Sequence, residues 1–245
     1  MDFTKTLSFF GKSDVGLKRE YNEDSFATRP DLHLCMAADG MGGAAAGEHA
    51  SRIFVESVCK VFETGEDYSE NGALQTLKKA FFTANTNILN HVKENPHHQG
   101  MGCTAEVLIF HDTGFAIGHV GDSRTYRFRN GALKLLTHDH SLVQEQIDKG
   151  LITEAEAKRH SMRNIVLRAI GVEPDVKLDL LRGRALPGDQ FLLCSDGLSD
   201  MVGADAISKI IMTSADLSEK VERLIDMAKA NGGSDNITAV MAMVN

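Results

Sequence analysis

Runs of apolar and β-branched residues bounded by turn formers predict strands over residues 7–15, 33–38, 104–110, 115–120, 125–128, 176–181, 190–194 and 237–244. The turns between several of them are short. Asp112-Thr113-Gly114 and Asn130-Gly131 join neighbouring runs over a few residues, which predicts antiparallel hairpins rather than helical crossovers. Two helical stripes follow the second strand. Ile53, Phe54, Val58, Val61 and Phe62 line one face over 48–62, and Leu77, Phe81, Ala84, Ile88 and Val92 do so over 74–92. A second pair is predicted over 205–212 and 217–230, the latter stopped by Gly232-Gly233. Residues 141–164 are charged and weakly amphipathic, with a capping box at Thr153-Glu154-Ala155-Glu156, and read as a lid-like excursion from the core. The predicted class is α+β, mostly antiparallel, with no internal repeat.

Composition narrows the reading. Of 245 residues, 34 are Asp or Glu and 26 are Lys or Arg, a net charge of -8 that disfavours nucleic acid and anionic membranes as partners. The hydrophobic fraction of 42% is enough for a sizeable core, and four prolines without a Ser/Gly linker leave no seam, so residues 1–245 read as one domain. The longest apolar run, 237–244, falls far short of the ~18 residues a span needs. Met1-Asp2-Phe3-Thr4-Lys5 opens no secretory pattern, which makes the cytoplasm the expected location. Cys35, Cys59, Cys103 and Cys194 are scattered among apolar residues and read as buried free thiols.

The chemistry lies in aspartates placed where apolar runs end. Asp39-Gly40, Gly121-Asp122, Ser195-Asp196-Gly197 and Ser234-Asp235-Asn236 each put a carboxylate beside a glycine, serine or asparagine. One such pair is ordinarily a turn. Repeated at the ends of strands in facing sheets, they would crowd negative charge that divalent cations neutralise, and all-oxygen ligation favours magnesium or manganese over zinc.

Arg19-Glu20-Tyr21-Asn22-Glu23-Asp24, Ala38-Asp39-Gly40-Met41-Gly42-Gly43, Gly102-Cys103-Thr104, Val120-Gly121-Asp122-Ser123-Arg124, Leu136-Thr137-His138-Asp139-His140-Ser141, Ser195-Asp196-Gly197-Leu198-Ser199-Asp200 and Gly233-Ser234-Asp235-Asn236 resemble, in order, the motifs of the type 2C metal-dependent protein phosphatases in their compact bacterial form. The resemblance spans residues 8–244. It implies a four-layer α/β/β/α sandwich of two antiparallel sheets flanked by helix pairs, and hydrolysis of phosphoserine and phosphothreonine by in-line attack of water held between two Mn2+ or Mg2+ ions, without a covalent enzyme intermediate. Carried over by motif, Asp39 bridges the ions, Asp196 and Asp235 complete the first, and the Gly40 carbonyl serves the second. Asp24 and Glu23 act on bound waters. A third, weaker ion would use Asp122 and Asp196 with Asp200, and Arg19 would grip the substrate phosphate. The implied partners are phosphoproteins made by a cognate Ser/Thr kinase; a monomer is the simplest expectation. Two ions would bring the formal charge from -8 to -4.

The sequence departs from the family at Met41 and Ala44, where histidines are found in other members, so the group that protonates the leaving oxygen is unassigned; a metal-bound water is one candidate and His140 a weaker one. Leu167 stands where Thr is usual and reads as a packing change, and the remaining histidines, including His97-His98, read as loop or surface groups. Gly40-Met41-Gly42-Gly43-Ala44-Ala45 also fits a dinucleotide fingerprint, but Asp39 would repel a pyrophosphate and the next strand begins too late for a βαβ unit. The His138-Asp139 doublet lacks the further His partners of another metal phosphohydrolase class. Cys103 and Cys194 lack the spacing of a cysteine-dependent phosphatase. A phosphoprotein-binding regulator on the same fold is the alternative from another functional class.

Overall fold

The computed structural model describes residues 7–42, 46–65 and 67–245. The N-terminal pentapeptide, Gly43 and Ala44 lie outside them. Two five-stranded antiparallel sheets face one another. One has the order β1 (Leu7–Asp14), β12 (Ile237–Val244), β11 (Gln190–Cys194), β8 (Arg124–Arg129), β9 (Ala132–Leu135); the other runs β10 (Asp179–Gly183), β7 (Gly114–Val120), β6 (Ala105–His111), β3 (Leu34–Ala38), β2 (Ser25–Arg29). A small ribbon pairs β4 (Gly40–Met41) with β5 (Gly102–Cys103).

Three apolar layers follow from strand and helix periods. Met36, Val107 and Ile109 point from the second sheet onto Phe54 and Val58 of α1 (Gly47–Glu63) and Leu77 and Phe81 of α2 (Glu70–Glu94). Leu192, Ala239 and Met241 of the first sheet, with Leu198 of the short α5 (Asp196–Ser199), cover Ile207 and Ile211 of α6 (Ala204–Ile211) and Val221 and Leu224 of α7 (Leu217–Ala230). Between the sheets lie Leu108, Phe110, Phe115, Phe191 and Val240. There Phe110 and Phe191 meet edge to face at 5.5 Å, a contact worth about 0.5–1.5 kcal/mol beyond burial. These helix, sheet, sheet and helix layers are the predicted α/β/β/α sandwich.

The differences from the expected elements have local causes. The strands Ser25–Arg29 and Ala132–Leu135 escape a pattern reading because both are sheet edges whose residues are half-buried or exposed, so neither alternates cleanly. The strand predicted over 176–181 lies at Asp179–Gly183, where Leu180 and Leu181 pair with Gly118 and Ile117. The 141–164 excursion contains α3 (Leu142–Asp148) and α4 (Glu154–Ala157), and the latter has the predicted capping box between Thr153 and Glu156. Cys35, Cys103 and Cys194 are buried and free, whereas Cys59 is half-buried. Leu167 is exposed, so the substitution of Thr there is not a core adjustment. No described helix is long and apolar enough to cross a membrane.

Candidate metal centre

Antiparallel pairing brings the aspartates together. β3 and β7 both run antiparallel to β6, so their C-terminal ends, followed by Asp39 and Asp122, lie at one edge, and β2 begins there after Asp24. In the facing sheet β11 ends at the same edge where β12 begins, which places Asp196 and Asp235 side by side. Asp39, Asp122, Asp196 and Asp235, with Arg19, Glu23 and Gly40, line a cavity of about 300 Å3. A neighbouring cavity of about 380 Å3 shares Asp122 and Asp196 and extends over Asp200 to Ile147, Ala157 and Arg163 of the excursion.

The loops are held by a hydrogen-bonded frame. Asp24 Oδ2 accepts from Ser195 Oγ (2.8 Å) and Thr238 Oγ1 (2.6 Å), which stitches one sheet's first strand to the other sheet. Asn236 Oδ1 accepts from the Glu23 amide, while its Nδ2 donates to the carbonyls of Val15 and Tyr21. The Asp39 amide donates to Thr104 Oγ1, which also shares a hydrogen bond with Ser123 Oγ at 2.7 Å. Gly40 packs so tightly that a Cβ there would lie 2.2 Å from the Gly47 carbonyl of α1 and 2.5 Å from that of Glu23. Gly121 has φ +114°, and Thr104 fills the space a side chain would need, so the chain turns into Asp122 only with glycine there.

Electrostatics make the cluster costly as it stands. Burial, reinforced by Asp24, Asp196, Asp122 and Asp235, holds the Asp39 carboxyl well above the usual range. Burial and the nearby charges of Asp122, Asp200 and Asp235 do the same to Asp196. Burial also pushes Asp24 and Asp122 up to about 6, and raises Asp200. One oxygen each of Asp24 and Asp196, both Oδ1, is buried without a hydrogen-bond partner. Crowded, desolvated carboxylates with spare lone pairs are what hard, oxygen-seeking divalent cations neutralise, so the residues fit such ions. Arg19 reaches into the cluster, its Nη2 donating to Asp235 Oδ2 at 2.9 Å, and its side chain is half exposed. Asp200 faces Arg163 Nε across 3.8 Å at the edge of the second cavity.

Several groups lie elsewhere than expected. His140 is buried beneath the excursion: its Nδ1 accepts from the Gly121 amide, and its Nε2 faces Asp179 and Arg168. Burial and the neighbouring His119 charge push it down to about 4, so it is neutral and outside the cleft, unsuited to protonating a leaving group. His111 and His119 are buried too, contrary to the surface reading of the histidines. His119 stands opposite Glu106 on the adjacent strand and bonds it through Nδ1. Its Nε2 donates to the His138 carbonyl at 2.8 Å, and Thr125 Oγ1 donates to Glu106 Oε2. This buried pair pins 138–140 against the corner that carries Asp122, while Arg124 clamps Asp139 through Nε and Nη2. The available signal was Glu106 itself, a charge inside the apolar run Ala105–His111. Burial pushes the Cys103 and Cys194 thiols up, away from nucleophilic use.

Known proteins share this fold. The chain is 38% identical over 242 residues to the serine/threonine protein phosphatase PstP of Mycobacterium tuberculosis, covering 98% of this chain but 46% of that protein, so it spans about half of that relative's length. It is 35% identical over 234 residues to the serine/threonine phosphatase stp of Listeria monocytogenes, covering 94% of this chain and 93% of the other. The crystal structure of the PstP catalytic domain in complex with two manganese ions superposes with a TM-score of 0.89 at 36% identity, covering 98% of each chain. With the protein phosphatase 2C family model matching residues 18–242, and the sheet-edge carboxylates in place, the chain belongs to the protein phosphatase 2C family.

Proposed function

We propose that the chain is a metal-dependent protein serine/threonine phosphatase, with Asp39, Asp196, Asp235 and the Gly40 carbonyl holding two Mn2+ or Mg2+ ions. The observation that carries this is the convergence of buried, mutually repelling carboxylates on one cavity beside Arg19, where Asp196 keeps an unpartnered oxygen, as does Asp24 next to Asp39. When bound, the divalent cations supply Lewis acidity and offset charge on the transferring phosphoryl group. The protein does the positioning. Arg19 leaves Asp235 and grips the phosphate dianion with its planar, permanently charged fork. Asp24 and Glu23 orient the attacking water in line with the seryl or threonyl oxygen, and Asp24, fixed by Ser195 and Thr238 and pushed up to about 6, is mostly ionised at pH 7 and accepts a proton from that water. No imidazole, thiol or phenol lines the cavity among the described residues, so the leaving oxygen takes its proton from water.

Asp122 and Asp200 with Asp196 form a third, weaker position, and 141–164 is a lid on a catalytic domain formed by residues 1–245. Its substrates are phosphoproteins of a cytoplasmic Ser/Thr kinase, met by a monomer. A purely binding module has no need of the full carboxylate set, which is present here.

Hydrolysis of p-nitrophenyl phosphate should require Mn2+ and fall to background in Asp39→Asn and Asp235→Asn. Manganese at a hundred times its Kd should stabilise the wild type by about 2.7 kcal/mol, about 5–10 °C in Tm. Asp39→Asn should lose most of that shift. Activity that survives both substitutions, or without a divalent ion, refutes the assignment.

A further inference from the structure

Outside the cleft, four imidazoles gather on one patch built from three elements. His49 lies in the first turns of α1, His91 in the last turn of α2, and His97 and His98 in the 3-10 turn Pro96–His98 that follows it. The ring centroids of His49, His91 and His98 form a triangle with sides of 4.9, 5.1 and 5.6 Å, and His97 is 4.1 Å from His98. His91 Nε2 and His98 Nδ1 are 2.9 Å apart, sharing one proton between two ring nitrogens. Arg52 donates to His49 Nδ1 at 2.9 Å, so that nitrogen carries a lone pair. Desolvation and the neighbouring imidazoles hold His98 below the ordinary histidine value, which keeps it neutral.

From this arrangement we propose that His49, His91 and His98 form a second metal site, for a borderline transition-metal ion such as Zn2+, Ni2+ or Co2+, distinct in chemistry from the all-oxygen cleft. The dimensions agree. Three imidazoles bound at about 2.05 Å around one tetrahedral ion have ring centroids about 5.2 Å apart, which matches the observed triangle. Separations are thus already right, and only ring orientation must change. As they stand, no three His, Cys, Asp or Glu side chains among the described residues are in metal-holding geometry, neither these stacked rings nor the cleft carboxylates, so the rings must turn toward a common point to bind.

On binding, the ion takes the place of the proton between His91 and His98. The ring that donated it keeps its neutral charge by carrying its proton on the other nitrogen, exchanged through solvent. Arg52, an exposed side chain, releases His49 Nδ1. Water or His97 completes the shell. Nitrogen ligands, with no carboxylate bonded to these imidazoles among the described residues, select against Mg2+ and Mn2+. An ion here would tie the start of α1 to the end of α2, two residues from the Gly47 that packs on Gly40.

The test is a titration of the untagged full chain with Co2+ in excess Mg2+, which keeps the carboxylate cleft filled. The wild type and the Asp39→Asn/Asp235→Asn variant should both develop the visible ligand-field bands of nitrogen-bound, four-coordinate cobalt at one equivalent, and Zn2+ should bleach them. His91→Gln and His98→Gln, made separately, should each lose the bands while their metal-free circular dichroism melts overlay that of the wild type. Absence of the bands from the wild type, their survival in both histidine variants, or their loss only with the aspartate substitutions would each overturn the proposal.

Discussion

The buried Glu106–His119 pair offers a sharp test of how the frame behind the cleft is held. The two-residue period of β6 that puts Leu108 and Phe110 between the sheets puts Glu106 there as well, and both members of the pair are fully buried. Burial alone would push His119 down, but the facing Glu106 charge, the hydrogen bond to it and the His138 carbonyl push it up to about 9. Burial raises Glu106 as well, so the proton that leaves near pH 9 belongs to the pair. An imidazole held above its unfolded value of 6.5 contributes stability that is full below pH 6.5 and lost as pH rises through 9. The shift from 6.5 to about 9 corresponds to about 3 kcal/mol, about 6–12 °C in Tm for a chain of this size.

Glu106→Gln keeps the shape and leaves both His119 and Thr125 with a partner. Its carbonyl accepts from Thr125, its amide donates to a neutral His119 Nδ1, and Nε2 still donates to the His138 carbonyl. Burial is then the dominant influence on His119, which titrates below 6.5, so the loss of stability between pH 6.5 and 9.5 should vanish. Glu106→Ala instead leaves the Thr125 hydroxyl without an acceptor and the imidazole without a counter-charge, and should cost about 3–5 kcal/mol at pH 7. Urea unfolding of metal-free protein at pH 6.5, 8 and 9.5 reads these differences, and the titrations of the cleft carboxylates cancel between wild type and Glu106→Gln. Parallel pH profiles for the two proteins, or a wild type whose stability is flat over that interval, would show that the pair carries no shared proton of this kind.

Two further outcomes follow from the site. Arg19→Ala should lower kcat/KM by about 10- to 100-fold, chiefly through KM, since a charge-assisted hydrogen bond is worth about 1.5–3 kcal/mol; manganese should bind at least as tightly because Asp235 is freed, and a calorimetric loss of manganese binding would make the arginine structural. Arg163→Ala, which removes the excursion's ion pair to Asp200, should reduce kcat/KM for a phosphoprotein about fivefold, the effect of roughly 1 kcal/mol, and leave p-nitrophenyl phosphate nearly untouched; equal losses on both substrates would deny the excursion a role in selectivity.

Much of the architecture was legible in the chain because it is local. Central strands such as Ala105–His111 and Gly114–Val120 are buried on both faces and write themselves as apolar runs, and α1, α2 and α7 carry stripes at helical spacing. The capping box at Thr153 and the short hairpins were equally readable, since a cap or a turn depends on residues within a few positions of one another. The edge strands Ser25–Arg29 and Ala132–Leu135 were not, because an edge is half solvated and its pattern is set by neighbours distant in sequence.

For the site, sequence alone supplied Asp39, Asp122, Asp196 and Asp235 as carboxylates at strand ends, and the resemblance supplied their order and expected roles. Only the tertiary structure decided that they share one cavity: convergence depends on the alternating directions of β3, β6 and β7 and on the two sheets packing face to face so that these strand ends lie together. It also decided what the histidines are. Nothing in the spacing of His49, His91 and His98, or of Glu106, His119 and Thr125, separates a patch of imidazoles from a buried proton-sharing pair. A side chain's charge state is set by what surrounds it in space, and burial and through-space partners come into being only when the sheets close.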